Sequence, residues 1–399
     1  MANDDGDQVV ETTETSWLGR LGQAFVGIII GVVLIIGAGV LLFWNEGRAV
    51  TTARSLTEGA GVVQSVAADK VDPVNDGKLV HVSGSLTAGG AAADQEFGMK
   101  SSGVRLERHV EMFQWTEDSE SETTKKLGGG ESTRTVYKYK RDWSEKHVDS
   151  SRFHERNGHS NPQMRWTSRQ SIAPQVKLGA FSVPNTLLDS FGSGQALPAP
   201  DSEAQTLQDK INKPVQIADG AIFVGKDPGE PVVGDYKISF MEVPLQEASI
   251  VARQAGAGFE RYQTKAGRAI ALITPGLVPA ADMFKEAQDD NRIMTWLVRL
   301  GGCVLMFFGF ILILRPLSVV ADVIPILGDI VGAGAGLVAF VCTVAIAPVI
   351  IAIAWFAYRP IVGIAVLVVG AAIAFGFHTL SRQKAAAKAA AAKAAPAAT

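Results

Sequence analysis

The sequence predicts a membrane protein with four transmembrane helices, one N-terminal and three C-terminal, and a large sheet-rich α+β extramembrane domain. Three observations predict it. Residues 21–44 are 24 consecutive residues without a formal charge. Residues 296–380 are 85 residues that carry only Arg299, Arg315, Asp322, Asp329 and Arg359. Residues 45–295 between them are polar, with apolar residues recurring at every second position in several stretches. A chain that is 47% hydrophobic and only 19% charged, with mean hydropathy +0.17, is excluded from the disordered class and is unlike an ordinary cytosolic enzyme.

Residues 1–19 hold five acids and no base and are expected to be a flexible acidic tail up to the interfacial Trp17. Residues 20–44 form the first span, since a bilayer core takes about 20 apolar residues per helix. The run is too long for a signal-peptide core and lacks a small-residue cleavage site, so it is a retained anchor. Gly27 and Gly31, four residues apart, offer a small-residue packing face. The second span is expected over 296–314, with Arg299 snorkelling to the interface beside Trp296. Arg315-Pro316 ends it, and 315–329 reads as an interfacial loop. The third span is 330–358, with Pro348 as a kink, and Arg359-Pro360 turns into a fourth over 361–380. The Ala/Lys-rich tail, 381–399, is basic and places itself in the cytoplasm by the positive-inside rule. Four spans then put both termini there and residues 45–295 in the periplasm or an organelle lumen.

The domain holds no cysteine; Cys303 and Cys342 both lie in apolar runs. Period-two patterns predict strands over 78–86, 104–112, 134–140 and 235–240, the third with Thr135, Tyr137 and Tyr139 on one face. Residues 182–210 are mixed and accommodate a helix. Gly89-Gly90 and Gly128 to Gly130 mark loops.

Catalytic chemistry finds little footing. The chain has no Gly-x-Ser-x-Gly, no His-Glu-x-x-His, no phosphate loop and no CxxC. His147, His154 and His159, with Asp142, Asp149 and Glu155 nearby, are the best metal-ligand set, but spacings of 7 and 5 fit no compact motif. No catalytic, cofactor or metal residue is therefore assigned. Asp322 and Asp329 are ionisable groups at or near membrane depth, which makes a transport or channel component the alternative reading. Net charge of −3 gives no footing for nucleic-acid binding. Arginines interleaved with Phe113, Trp115, Trp143 and Trp166 suit either a partner interface or the core of a sheet.

Several strings resemble the LUMA-type transmembrane protein family. They are Leu41-Leu-Phe-Trp-Asn-Glu-Gly-Arg-Ala-Val50 at the exit of the first span, Val110-Glu-Met-Phe-Gln-Trp115, Trp143-Ser144, Asp149-Ser150-Ser151 with Phe153, Asn161-Pro162, and Arg315-Pro-Leu-Ser-Val-Val-Ala-Asp-Val-Ile-Pro-Ile-Leu-Gly328. The resemblance covers residues 17–380. It implies a non-enzymatic protein of the endoplasmic reticulum or inner nuclear membrane that self-associates and organises the membrane. The acidic head and Ala/Lys tail are bacterial in style, so a bacterial homologue in the inner membrane is expected. The functional expectation is a membrane scaffold that meets membrane lipids, its own copies and an unidentified membrane or periplasmic protein, with no cofactor. A periplasmic metal-dependent enzyme at the three histidines is the remaining alternative.

Overall fold

The computed structural model describes residues 7–361 and residue 364. It divides into two compact units, Met1–Gly19 with Thr52–Asp290, and Arg20–Thr51 with Asn291–Thr399. The chain runs through β1 (Gln8–Thr15), α1 (Trp17–Val62), β2 (Leu79–Thr87), β3 (Arg105–Lys125), β4 (Glu131–Ser144), α2 (Glu203–Ile211), β5 (Val215–Ala218), β6 (Ala221–Val224), β7 (Tyr236–Val243), β8 (Glu247–Ala255), β9 (Leu272–Pro275), α3 (Ala280–Ala321) and α4 (Pro325–Tyr358), with shorter pieces between.

In the extramembrane unit the first sheet has the order β1-β4-β3-β7-β6-β5, and in the second β8 lies between β9 and β2. All these pairs are antiparallel. The register sets Val110 opposite Ile238 in one sheet and Val82 opposite Ile250 in the other. All four are fully buried in one apolar cluster with Met112, Phe97 and Phe181, so the alternation read from the sequence is the core-facing side of each sheet. At the ends of the unit, Leu56 of α1 and Met283 and Phe284 of α3 bury against Leu79, Val251 and Ile270. Gly59 permits this, because a Cβ there would lie 2.6 Å from Ile270 and 2.9 Å from Phe284.

The β3–β4 hairpin outruns the core. From Asp118 to Thr124 every residue of β3 is exposed, and the arm is held by cross-strand pairs such as Lys138 with Glu120 at 2.7 Å and Thr123 with Thr133 at 3.0 Å. Along its edge lies β1. The N-terminal residues are thus no detached tail from Asp7 onward: Gln8 to Thr15 pair residue by residue with Lys138 to Glu131. Ser16 then caps α1, accepting from the Gly19 amide at 3.2 Å.

Among the described residues three helices, not four, are long and apolar enough to cross a membrane: Trp17–Val62, Ala280–Ala321 and Pro325–Tyr358. One is N-terminal and two are C-terminal. The expected fourth span, 361–380, and the 381–399 tail lie outside the described residues. The helix around Pro316 also differs from expectation. It runs on to Ala321 with the proline inside it, and the break is confined to residues 322–324 before Pro325 opens the next helix. Proline is tolerated inside apolar helices where neighbouring helices and local adjustment absorb the lost hydrogen bond.

In the membrane unit α1 and α3 approach closely at glycines. A Cβ on Gly31 would lie 2.5 Å from the Gly309 carbonyl oxygen, and one on Gly309 2.9 Å from the Gly31 oxygen. Lipid tails are as apolar as leucine, so backbone approach at small residues is a main source of helix association there. Gly31→Leu is expected to destabilise the protein in detergent by about 1–3 kcal/mol, read from thermal unfolding. Gly37→Leu, at a position with nothing within 4 Å, is expected to leave the transition in place.

Candidate functional site

The ionisable residues of the membrane unit gather at two levels. One turn of α1 carries Asn45, Glu46 and Arg48, and all three reach α3. The Glu46 carboxylate takes a two-point fork from Arg299, Nε to Oε1 at 2.6 Å and Nη2 to Oε2 at 2.8 Å, and accepts from Trp355 Nε1 of α4 at 2.8 Å. The Asn45 amide donates to the Thr295 carbonyl at 3.1 Å. Arg48 donates to Asn291 Oδ1 and Thr295 Oγ1, each at 3.1 Å. Gly47 leaves room for the Tyr358 ring, which a Cβ would approach to 2.6 Å. Glu46 has a side chain 3% exposed and Arg299 one 15% exposed. Arg299 therefore does not snorkel; its guanidinium lies over the Trp296 ring at 4.7 Å and is neutralised within the bundle.

The second level is at the start of α1. Arg20 pairs with Asp322, both buried. Gly328 is required beside them, since a methyl there would run into the Asp322 carboxylate. Asp322 is thus a structural acid bound to a cation; Asp329, seven residues on, is exposed. Along α1, Arg20 and Glu46 are 26 residues apart, about 39 Å at 1.5 Å per residue, against about 30 Å for a hydrocarbon core. The apolar stretch between the two clamps matches the interval a bilayer demands.

In the extramembrane unit the three histidines do not converge. Among the described residues no group of three His, Cys, Asp or Glu side chains could hold a metal ion. His159 is 3% exposed and stacks on Tyr139 at 4.1 Å, with the Trp115 ring edge-on at 4.7 Å. Its Nδ1 faces the Glu155 carbonyl oxygen at 3.1 Å and its Nε2 faces Asp7 Oδ2 at 2.7 Å. His154 stacks on Tyr137 at 4.1 Å. Trp166 and Phe153 are buried. Phe113 meets Trp143 at 5.2 Å, and Arg141 lies over Trp115, so the arginine–aromatic strings serve packing inside the domain.

Tyr139 donates to Glu117 Oε2 at 2.6 Å and accepts from the Glu155 amide at 2.8 Å. Burial first, and then this hydrogen bond to a carboxylate, push its phenol up to about 12.

Neither clamp nor β1 was found by reading the sequence. The signal for the clamps was opposite charges at matching depths of neighbouring spans, Arg20 with Asp322 and Glu46 with Arg299. The signal for β1 was its β-branched Val-Val and Thr-Thr content.

A sheet-rich extramembrane domain carried on apolar helices, with Arg20 paired to Asp322 and Glu46 to Arg299 between them, defines a membrane protein without a metal centre among the described residues. The family model for Transmembrane protein 43 matches residues 112–360. Mouse Transmembrane protein 43 is 31% identical over 366 residues, covering 89% of this chain and 90% of its own length. The human protein is 30% identical over 366 residues, covering 89% of this chain and 90% of its own. The fruit-fly homolog is 28% identical over 353 residues, covering 86% and 91%. The chain belongs to the Transmembrane protein 43 family, which the LUMA-type strings indicated. No solved structure matches. These relatives, with the rat and orangutan proteins, are animal proteins; they overturn the expectation of a bacterial homologue in a bacterial inner membrane.

Glu46→Gln leaves the Arg299 charge without its counter-ion and is expected to cost about 3–5 kcal/mol, whereas Glu46→Met with Arg299→Met costs far less; unfolding in detergent compares them. For Tyr139, a phenol whose pKa rises on folding lends stability that is complete below the unfolded value near 10 and is lost as pH climbs toward about 12. Stability measured from about pH 10 to about pH 12 should fall more steeply for the native protein than for Tyr139→Phe.

Proposed function

We propose that the chain is a non-enzymatic membrane scaffold of the endoplasmic reticulum or nuclear envelope, meeting lipid through its helices and other proteins through its extramembrane domain. The observation that carries this reading is the assignment of the membrane unit's charged side chains. Arg20, Glu46, Arg299 and Asp322 are each turned toward a partner helix, which builds a rigid anchor. The outer faces of the same helices expose Ile29, Val33, Ile36, Phe308 and Leu337, a surface suited to acyl chains. Family membership supports the same reading, since it joins the anchor and the sheet domain in one protein. Self-association belongs to this proposal, because a scaffold organises a membrane by repeating its own contacts.

The transport reading depended on Asp322 and Asp329 as a polar path. The ion pair with Arg20 gives Asp322 a different task, and no observation favours a path through it.

Crosslinking of the native-level protein in intact membranes, followed by mild detergent purification, tests the scaffold. Recovery of self-crosslinked species together with the same membrane protein under independent crosslinkers is the expected result. A monomer that comes through every crosslinker alone would remove the proposal.

A further inference from the structure

The second sheet of the extramembrane unit ends in an open edge. β9 has β8 on one side and, among the described residues, no strand on the other. The Gly276 amide donates to the Glu247 carbonyl at 2.7 Å. Counting from that bond, Ser249 with Thr274 is a hydrogen-bonded pair and Ile250 with Ile273 a non-hydrogen-bonded one. The Ile273 N–H and C=O therefore point away from β8. So does the nitrogen of Pro275, which has no hydrogen to offer, as suits an edge strand. Proline closes the edge at that end and leaves it open at Ile273.

The open edge lines a cleft of about 460 Å³, within the roughly 300–1,000 Å³ of ligand sites. The helical turn Asn185–Leu188, the strand Gly258–Glu260 and the first turns of α3 complete its lining. Leu187, Phe259 and Met283 are buried and give it an apolar floor. Its rim is acidic: Glu260, Glu286 and Asp290 are exposed there, with Arg261 as the one cation of the lining. Arg253 reaches Glu260 at 3.7 Å. Glu286 and Asp290, four residues apart, share one face of α3 and have no ion-pair partner among the described residues.

These features specify the chemistry of an occupant. Open backbone groups at a sheet edge take the main chain of an extended peptide, and pockets beside them select its alternate side chains. The floor takes apolar side chains and the rim takes cations. A second copy would bring its own three carboxylates against these, and like charges facing each other oppose docking. Anionic lipid is turned away for the same reason. We infer that this cleft is a docking site for an extended basic segment of a partner protein. The segment adds to β9 as a strand, its lysines or arginines meeting Glu286 and Asp290 and its alternate apolar residues entering the floor. The inference rests on the scaffold reading and gives the chemistry of the partner.

The test titrates the full-length protein in detergent with a blocked hexapeptide alternating lysine and valine. Saturable binding that weakens as salt is raised is expected. Glu286→Gln/Asp290→Asn, which changes only exposed side chains, is expected to weaken it by about tenfold. Hydrogen–deuterium exchange at the Ile273 amide is expected to slow with peptide bound. No saturable binding, equal binding of a glutamate–valine peptide, or unaltered affinity in the variant would overturn the basic-peptide assignment. Binding without protection of Ile273 would overturn the strand addition. Protection of Ile273 that appears without peptide and grows with protein concentration would make the occupant a second copy and overturn the partner assignment. Crosslinking of the Glu286→Gln/Asp290→Asn protein in membranes separates this inference from the scaffold itself. Loss of the crosslinked partner with self-crosslinks retained is expected; unchanged recovery of that partner would overturn the cleft and leave the scaffold standing.

Discussion

Everything in the membrane unit depends on one constraint: an ionised side chain removed from water must find its counter-charge inside the protein. Glu46 and Arg299 meet it with a two-point fork, to which Trp355 adds a third hydrogen bond. That arrangement fixes three helices at one level, because the carboxylate on α1 is addressed from α3 and from α4 together. Arg20 and Asp322 repeat the device at the other end of α1. The space between is filled by close contacts, Gly31 on Gly309 and Ala38, Leu42, Met306 and Ala347 in a small buried cluster. Charges at the ends set the pairing and small residues between set the distance.

The extramembrane unit follows a different rule. Its stability comes from two antiparallel sheets that share an apolar cluster, and its polar chemistry is pushed to the rim. Where β3 leaves the core its sequence changes from alternating Leu106, Val110 and Met112 to a run of Ser, Thr and acids. The resulting arm cannot be held by burial, so cross-strand pairs and the added β1 hold it. Charged and aromatic residues that might have formed a catalytic centre are instead engaged with one another: Tyr139 with Glu117, His159 with Asp7, Arg141 with Trp115.

The sequence was most legible where a single physical rule acts locally. Charge-free runs marked the apolar stretches of α1, α3 and α4, though they were counted as four spans and missed the charged start of α3 at Ala280, and alternation matched β2, the first half of β3, β4 and β7. It was least legible where two distant segments decide the outcome together. Arg299 alone resembles a snorkelling residue; only its neighbour 253 positions earlier makes it a buried partner. Asp322 alone resembles a polar element of a pathway until Arg20 is placed against it. His154 and His159 resemble metal ligands because their spacing is visible and their neighbours on β1 and β4 are not. Residues 7–15 are acidic, which in isolation reads as a solvated tail, and only β4 turns them into a strand. The strings read as LUMA-like now have a physical content: Asn45, Glu46 and Arg48 belong to one clamp, beside Gly47, and Asp322 with Gly328 belongs to the other.

The measurement that bears most directly on this account is a charge exchange at the central pair. Glu46→Arg, Arg299→Glu and the combined exchange would be compared by unfolding in detergent or lipid nanodiscs. The account predicts that each single change is severely destabilising and that the exchanged pair recovers at least about 2 kcal/mol of the summed loss, the scale of coupling for a buried, hydrogen-bonded ion pair. Additive losses, with no recovery in the exchanged protein, would contradict the claim that this pair holds the membrane unit together.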